Sequence, residues 1–367
     1  MKRLLALLIT LTLLLSCAAA EPAAEMTAEE LYATGKAAMN AGDYAKALEH
    51  CQLAADLGYS EAIKEIGNLY SYGLGVEMDY VKAVEYYQRA ADLGNLNAVT
   101  NLGVCYQKGY GVEKNEEEAV KYFQMAADQG NVPACYYLGL CYRNGWGVDQ
   151  DLGKAAEYFL SAADQGIDAA QYELGAMYHL GYGVEQDYEK AFHYYSLAAE
   201  QEYPEALTAV GYFYGQGLGT EQNLDEMVKY YNKAVELGEP MAQFNLGCCY
   251  RDGTGVEQDY EKMLEYFRLA VEKGNANAQF NLGFAYYFGQ GVEQDYDEAF
   301  RFYQLAADQG FTVAMFAVGD CYYLGNGVEK DLDKAAEWYR KALDAGYKPD
   351  EEDQKHLVDV LGNEYQP

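Results

Sequence analysis

Eight glycines stand on a strict 36-residue ruler: Gly67, Gly103, Gly139, Gly175, Gly211, Gly247, Gly283 and Gly319. Three residues after each comes a tyrosine: Tyr70, Tyr106, Tyr142, Tyr178, Tyr214, Tyr250, Tyr286 and Tyr322. A fixed period of this length marks stacked supersecondary units, not one globular core. Such a stack presents a long repeated surface, which suits binding better than catalysis. The ruler does not name the ligand.

Residues 132–167 serve as a specimen unit. Pro133 and Ala134 open a helix, since proline is tolerated in the first turn. Ala134, Leu138 and Tyr142 recur at helical spacing. Gly145-Trp146-Gly147-Val148 breaks the helix, and Asp151 begins a second one as its N-cap. The matching caps are Asp79, Asn115, Asp187, Asn223, Asp259, Asp295 and Asp331. The second helix carries alanine or methionine toward the core, as at Ala155 and Met227, then an aromatic pair such as Tyr86-Tyr87 or Trp338-Tyr339. Ala162-Ala163 and the helix-ending Gly166 complete the specimen. The periodic glycine itself lies inside a helix, where it costs about 1 kcal/mol against alanine. Close approach by the aromatics of the paired helix is the expected compensation. One turn departs from the pattern: Glu202 replaces the terminating glycine, followed by Tyr203-Pro204. Either the substitution is simply tolerated or the stacking angle changes slightly there.

The first residues read as an export signal, 1–20. Lys2 and Arg3 precede an apolar run, Leu4 to Leu15, that is short for a membrane span. Two cleavage readings stay open. Ala18-Ala19-Ala20 before Glu21 fits ordinary signal peptidase, while Leu14-Leu15-Ser16-Cys17 resembles a bacterial lipobox that ends the signal at residue 16 and makes Cys17 the lipid acceptor. A lipid on Cys17 is the only membrane attachment expected. The net charge is −32, and loss of Lys2 and Arg3 makes it about −34. Such a surface repels nucleic-acid phosphates and anionic lipid, so nucleic acid is set aside. Cys105, Cys141, Cys249 and Cys321 occupy one apolar site per unit, which Leu69, Met177, Phe213 and Ala285 fill elsewhere. Equivalent sites in neighbouring units are about 10 Å apart. Disulfides need Cα atoms within about 7 Å, so no disulfide framework is expected. No cofactor or metal site is expected either.

With these residues on the page, the chain resembles the Sel-one-like repeat (SLR) family, relatives of tetratricopeptide repeats. The family pattern of apolar-Gly, Tyr, Gly-x-Gly-Val, Asp, Ala, an aromatic pair and Ala-Ala runs, with scattered substitutions, through eight units from 60 to 347. The resemblance implies an all-α, right-handed α/α superhelical solenoid of helix-turn-helix repeats whose first helices line the concave side. It also implies a protein-interaction adaptor, as many bacterial envelope members are. Residues 28–61 resemble one tetratricopeptide unit: Gly35, Ala47 and Ala54 have its spacing, and Gly42-Asp43-Tyr44 forms its turn. From Gly35 to Asp43 is 8 residues, where Gly67 to Asp79 is 12. Residues 348–367 read as a polar C-terminal cap, within which Asp353 to Leu361 is expected to form a half-unit.

Candidate binding residues follow from the register. Three before the periodic glycine stand Tyr136, Tyr172, Phe244, Phe280 and Phe316; Lys64, Thr100 and Thr208 hold that place in other units. One after it stand Tyr212 and Phe284, and one turn later Tyr287, Phe288 and Tyr323. Aromatics at helical spacing serve as core or as an exposed stripe, and both readings stay open. An exposed stripe would hold an apolar-aromatic peptide or stack on sugar rings. Lys64, Asn68 and Asn101 match half of a tetratricopeptide carboxylate clamp, but Pro133 and Tyr137 stand where its other basic residues belong.

The reading that follows is a non-catalytic exported bacterial scaffold, binding a protein or peptide on its concave face. Two rivals remain. The chain is similar to secreted cysteine-rich repeat proteins described as weak penicillin-binding β-lactamases. Those carry a cysteine pair eight residues apart in each unit, whereas here only Cys135 stands at such a site, with Ala127 opposite. The other rival is a glycan or peptidoglycan binder using the C-terminal aromatics. His50, His179, His193 and His356 are scattered, without metal spacing or an evident nucleophile.

Overall fold

The structure is a computed structural model, and residues 26–362 are described. The expected export signal with Cys17, and the last five residues of the expected cap, lie outside the described residues. The chain forms two compact units, Met1–Gln165 and Gly166–Pro367. Every described element is a helix, and each unit is a solenoid of helix pairs packed in sequence.

The first unit holds α1 (Ala28–Asn40), α2 (Tyr44–Asp56), α3 (Ser60–Tyr72), α4 (Tyr80–Asp92), α5 (Leu96–Lys108), α6 (Glu116–Ala127), α7 (Val132–Asn144) and α8 (Leu152–Ala163). The second holds α9 (Asp168–Leu180), α10 (Tyr188–Glu200), α11 (Pro204–Gln216), α12 (Leu224–Glu236), α13 (Pro240–Asp252), α14 (Tyr260–Glu272), α15 (Ala276–Phe288), α16 (Tyr296–Asp308), α17 (Thr312–Leu324), α18 (Leu332–Asp344) and α19 (Glu351–Leu361). Odd-numbered helices up to α17 are the first helices of their pairs.

From α4 onward, the two aromatics of each second helix have separate tasks. The second of the pair lies flat on the periodic glycine. A Cβ at Gly139 would stand 2.6 Å from Cδ1 of Phe159, and the other seven glycines face Tyr87, Phe123, Tyr195, Tyr231, Phe267, Tyr303 and Tyr339 in the same way. Only a residue without a side chain admits the ring, which is what the conserved register of the glycine achieves within this chain. The first aromatic of the pair stacks on the periodic tyrosine: Tyr70 on Tyr86 at 5.7 Å, Tyr142 on Tyr158 at 5.6 Å and Tyr286 on Phe302 at 5.8 Å between centroids.

The loop is tied at both ends. Its cap side chain accepts from the third helical N–H, as Asp151 Oδ1 does from Lys154 at 3.0 Å. The same residue's N–H donates back to the carbonyl of the periodic tyrosine, as Asp151 to Tyr142 at 2.9 Å. The cap's lysine also lies over that tyrosine, 5.1 Å from its centroid for Lys154 and Tyr142.

Glu202 takes the glycine's left-handed conformation, with φ 62°. Its turn keeps the usual bonds: Glu202 N–H donates to Ala199 O at 3.1 Å, as Gly94 does to Ala91 at 2.8 Å. The substitution is absorbed as backbone strain, not as a different turn. Beyond the last full pair, α19 continues the register with exposed Lys355 one period after Gly319. No second helix follows among the described residues, so no ring presses on that position and glycine is not needed. His356 and Asp359 anchor α19 to α17: His356 Nδ1 lies 2.8 Å from Asp320 Oδ1, and Tyr323 Oη donates to Asp359 at 2.7 Å.

Candidate binding face

The residue three before each periodic glycine proves to be a joint between successive repeats. Tyr172 packs on Tyr203 at 5.3 Å, Phe280 on Phe311 at 5.5 Å and Phe316 on Tyr347 at 4.6 Å. Where threonine stands there, the contact is polar: Thr100 donates to Asn131 Oδ1 at 2.9 Å and Thr208 to Glu239 Oε2 at 2.8 Å. In each case the partner lies 31 residues on, at the entrance of the next repeat. The same rings also rest on the aromatic over the glycine, as Phe244 does on Phe267 at 5.8 Å and Tyr136 on Phe159 at 6.0 Å. Phe316 is core, 3% exposed, while Tyr136, Tyr172, Phe244 and Phe280 are half-buried. In these five units the residues 31 apart pair aromatic with aromatic or polar with polar, whereas Tyr136 with Ile167 and Phe244 with Asn275 depart from that pattern.

The open positions lie one and five residues after the glycine. Tyr212 is 42% exposed, Phe284 36% and Phe288 57%. Phe284 and Phe288 are one turn apart on α15, with ring centroids 4.4 Å from each other. Tyr287 supports them: its ring is 4.9 Å from Phe288 and 5.0 Å from Tyr296, and its hydroxyl accepts from Asn326 Nδ2 at 2.8 Å. Burial among these groups pushes the Tyr287 hydroxyl up from its ordinary pKa. Tyr212 lies apart from this cluster, beside His179 and Phe213. Tyr323 is committed to α19, its ring 4.7 Å from that of His356. Sequence reasoning sought aromatics and missed the aliphatic members of the same stripe: Leu180, Met241, Val313 and Leu324 are all exposed. Their register, six before the glycine for Met241 and Val313 and five after it for Leu180 and Leu324, is the signal that finds them.

The half-clamp is satisfied internally. Lys64 Nζ is 2.9 Å from Glu61 Oε2, and Asn68 Oδ1 accepts from Tyr87 Oη at 2.8 Å and from Asn101 Nδ2 at 3.3 Å.

The described residues hold no group of His, Cys, Asp and Glu able to bind a metal, and no helix long and apolar enough to cross a membrane. The seven described cysteines are free thiols. Burial pushes Cys51, Cys105 and Cys248 up to about 11, and Cys141, Cys249 and Cys321 up to about 12. Thiols so placed are poor nucleophiles at neutral pH. Burial also lowers His179, whose ring sits edge-on to Phe213 at 4.9 Å.

A model of the Sel1 repeat matches residues 22–59, 60–95, 96–131, 132–167, 168–203, 204–239, 240–275, 276–311 and 312–347. It takes the short-turn pair α1 and α2 as a ninth repeat. Among solved structures, a Sel1 repeat protein from Oxalobacter formigenes is 30% identical, over 68% of this chain and 99% of that one, with a TM-score of 0.62. A protective antigen of uropathogenic Escherichia coli displaying an SLR fold is 28% identical, over 92% of this chain and 85% of that one, with a TM-score of 0.55. No curated protein sequence matches the chain significantly.

Proposed function

The chain belongs to the Sel1 repeat family, and from that membership we propose that it is a non-catalytic scaffold which holds a protein or peptide partner on the open face of its first helices. Repeats of this family commonly scaffold protein interactions. The observation that carries the reading is the pair Phe284 and Phe288. Both rings stay open to solvent on a helix whose other aromatics are drawn into packing. Exposed aromatics with a supported base are what binding hot spots are made of. The β-lactamase reading is disfavoured by Ala127 opposite Cys135, which leaves that site without the cysteine pair. The proposal also places the chain in the envelope or medium of a bacterial cell. Lys2, Arg3 and the leucine run support it, with release after Ala20 or a lipid on Cys17.

Crosslinking and pull-down from envelope and medium tests this, with the chain set against a Phe284→Ala/Phe288→Ala variant. A discrete protein recovered with the first and lost with the second is the expected result. Recovery of glycan in its place would shift the reading to a sugar binder. Nitrocefin turnover by the pure chain would overturn the non-catalytic assignment.

A further inference from the structure

Two features meet at the same end of the repeats in the second unit, and the fold uses neither. One is the Phe284–Phe288 pair at the C-terminal end of α15. The other is a row of exposed carboxylates, one per loop, ten residues after each periodic glycine: Glu185, Glu221, Glu257, Glu293 and Glu329. The loop bearing Glu293 folds back on the aromatic end, because Gln294 Nε2 donates to Tyr287 O at 2.7 Å. The following loop reaches the same spot through Asn326 and Tyr287 Oη. Other acids of this unit are neutralised locally: Asp187 pairs with Lys190 at 3.2 Å, Glu226 with Lys229 at 2.8 Å and Glu298 with Arg301 at 2.6 Å. Among the described residues, no ion pair takes up any of the five loop carboxylates.

We propose that this end of the second unit takes a cationic polypeptide segment carrying an aromatic or aliphatic anchor, an inference that rests on the scaffold reading and adds the partner's chemistry. The anchor covers Phe284 and Phe288, and lysine or arginine side chains reach the loop carboxylates. Repeats stack at about 10 Å, and an extended chain rises about 3.3 Å per residue. The complementary segment therefore carries a basic residue at about every third position. A second copy of this chain does not fit, because each copy brings a net charge of −32 to the contact. A small polyamine matches the carboxylates but leaves the aromatic pair uncovered.

The test uses fluorescence anisotropy of the purified chain with two labelled synthetic peptides. Both carry one tryptophan anchor; one has lysine at every third position and the other has glutamate there. The lysine peptide is expected to bind and to weaken steeply with salt. Phe284→Ala/Phe288→Ala should weaken it by about tenfold, the scale of an interface hot spot. Glu293→Gln/Glu329→Gln, a variant confined to exposed loop side chains, should weaken it and flatten its salt dependence. Equal binding of the lysine peptide to the chain and to the phenylalanine variant would mean diffuse attraction to an acidic surface, and would overturn the proposal. Equal binding of both peptides, lost in the phenylalanine variant, would overturn the cationic partner while leaving the scaffold reading intact. Binding of neither peptide would overturn the proposal too, and the pull-down would then decide the scaffold reading separately.

Discussion

A glycine inside a helix is a cost that a neighbour has to justify, and here the neighbour is visible. Phe159 is fully buried with its ring edge 2.6 Å from where a Cβ of residue 139 would sit. Gly139→Ala gains helix propensity of about 1 kcal/mol, yet must push a packed ring aside. Overpacking at about 1–3 kcal/mol outweighs it, which leaves a net loss of up to about 2 kcal/mol in urea unfolding; unchanged stability would sink the account. Lys355 supports the same logic from the other side, since it stands on the ruler where no ring arrives. Glu202 is the reverse case. A left-handed L-residue costs about 1–2 kcal/mol, and glycine returns about 0.5–1 kcal/mol of that as chain entropy. Glu202→Gly should therefore raise stability by about 1 kcal/mol. A third position follows from comparing repeats. Gln201 and Gln309 each donate to a buried glutamine, Gln171 at 2.9 Å and Gln279 at 2.7 Å, and each also donates to a glycine carbonyl. Gln243 is the equivalent buried glutamine, its Oε1 lacks a partner, and Lys273 stands where the donor belongs. Lys273→Gln is expected to stabilise by about 0.5–1.5 kcal/mol through the restored bond; a lower melting temperature would refute it. Neither the strain at Glu202 nor the orphan at Gln243 was legible in the sequence, because each depends on which atoms the turn brings together.

Among the elements, the second helices of the long repeats were legible down to their starts, because capping residue, glycine break and aromatic pair recur in register, whereas α19 starts at Glu351 behind its cap Asp350, two residues before the expected Asp353. Helical spacing within one unit did not reveal the faces. Tyr172, Phe280 and Phe284 have the same chemistry and stand on helices of the same design. A shift of four residues along the helix moves a ring from the joint between repeats to open solvent. Helical spacing cannot separate these positions until the neighbouring repeat is placed. The caps make a prediction at this scale. Asp79, Asp187 and Asp331 are held below the ordinary carboxylate value of 3.8, chiefly by the N–H groups of Lys82, Lys190 and Lys334. A carboxylate with a depressed folded pKa binds fewer protons folded than unfolded. Its contribution is complete above the ordinary value and is lost as pH falls through the folded one. Melting temperature should therefore drop as pH falls below about 4. Asparagine caps a helix as well as aspartate does, and Asn115 and Asn223 already do so here. Asp79→Asn/Asp187→Asn/Asp331→Asn should keep neutral-pH stability near that of the parent and flatten the acid limb. An acid limb as steep as the parent's would place the titration elsewhere.

For the whole molecule, 58 acidic against 26 basic residues is the dominant fact, and their placement gives it meaning. The ruler runs through residues 165 and 166 without interruption, so the division into two units is not written in the period. The charge segregation is partly written: each Gly-x-Gly-Val loop ends in Glu or Asp, and Gly217-Leu218-Gly219-Thr220, where Thr replaces Val, likewise ends in Glu221. What the sequence hides is that, among the described residues, the carboxylates from Glu185 to Glu329 form no ion pair, while acids at helix starts do; Glu185 only helps to raise Lys190, which Asp187 holds. Like charges about 10 Å apart repel by about 0.4 kcal/mol per pair in water. The four neighbouring pairs from Glu185 to Glu329 therefore oppose folding by about 1–2 kcal/mol before screening. The Debye length shrinks from about 30 Å at 0.01 M salt to about 3 Å at 1 M, so salt removes most of this repulsion. The exposed ion pairs at the helix starts weaken as well, but each is worth little. Melting temperature is expected to rise by a few degrees between these conditions, at about 2–4 °C per kcal/mol for a unit of this size. Replacing Glu221, Glu257 and Glu293 by glutamine should raise stability at low salt and shrink the salt-driven gain. A melting temperature that falls with salt would mean that the local pairs outweigh the row, and the loop carboxylates would then lose their standing as uncompensated charge.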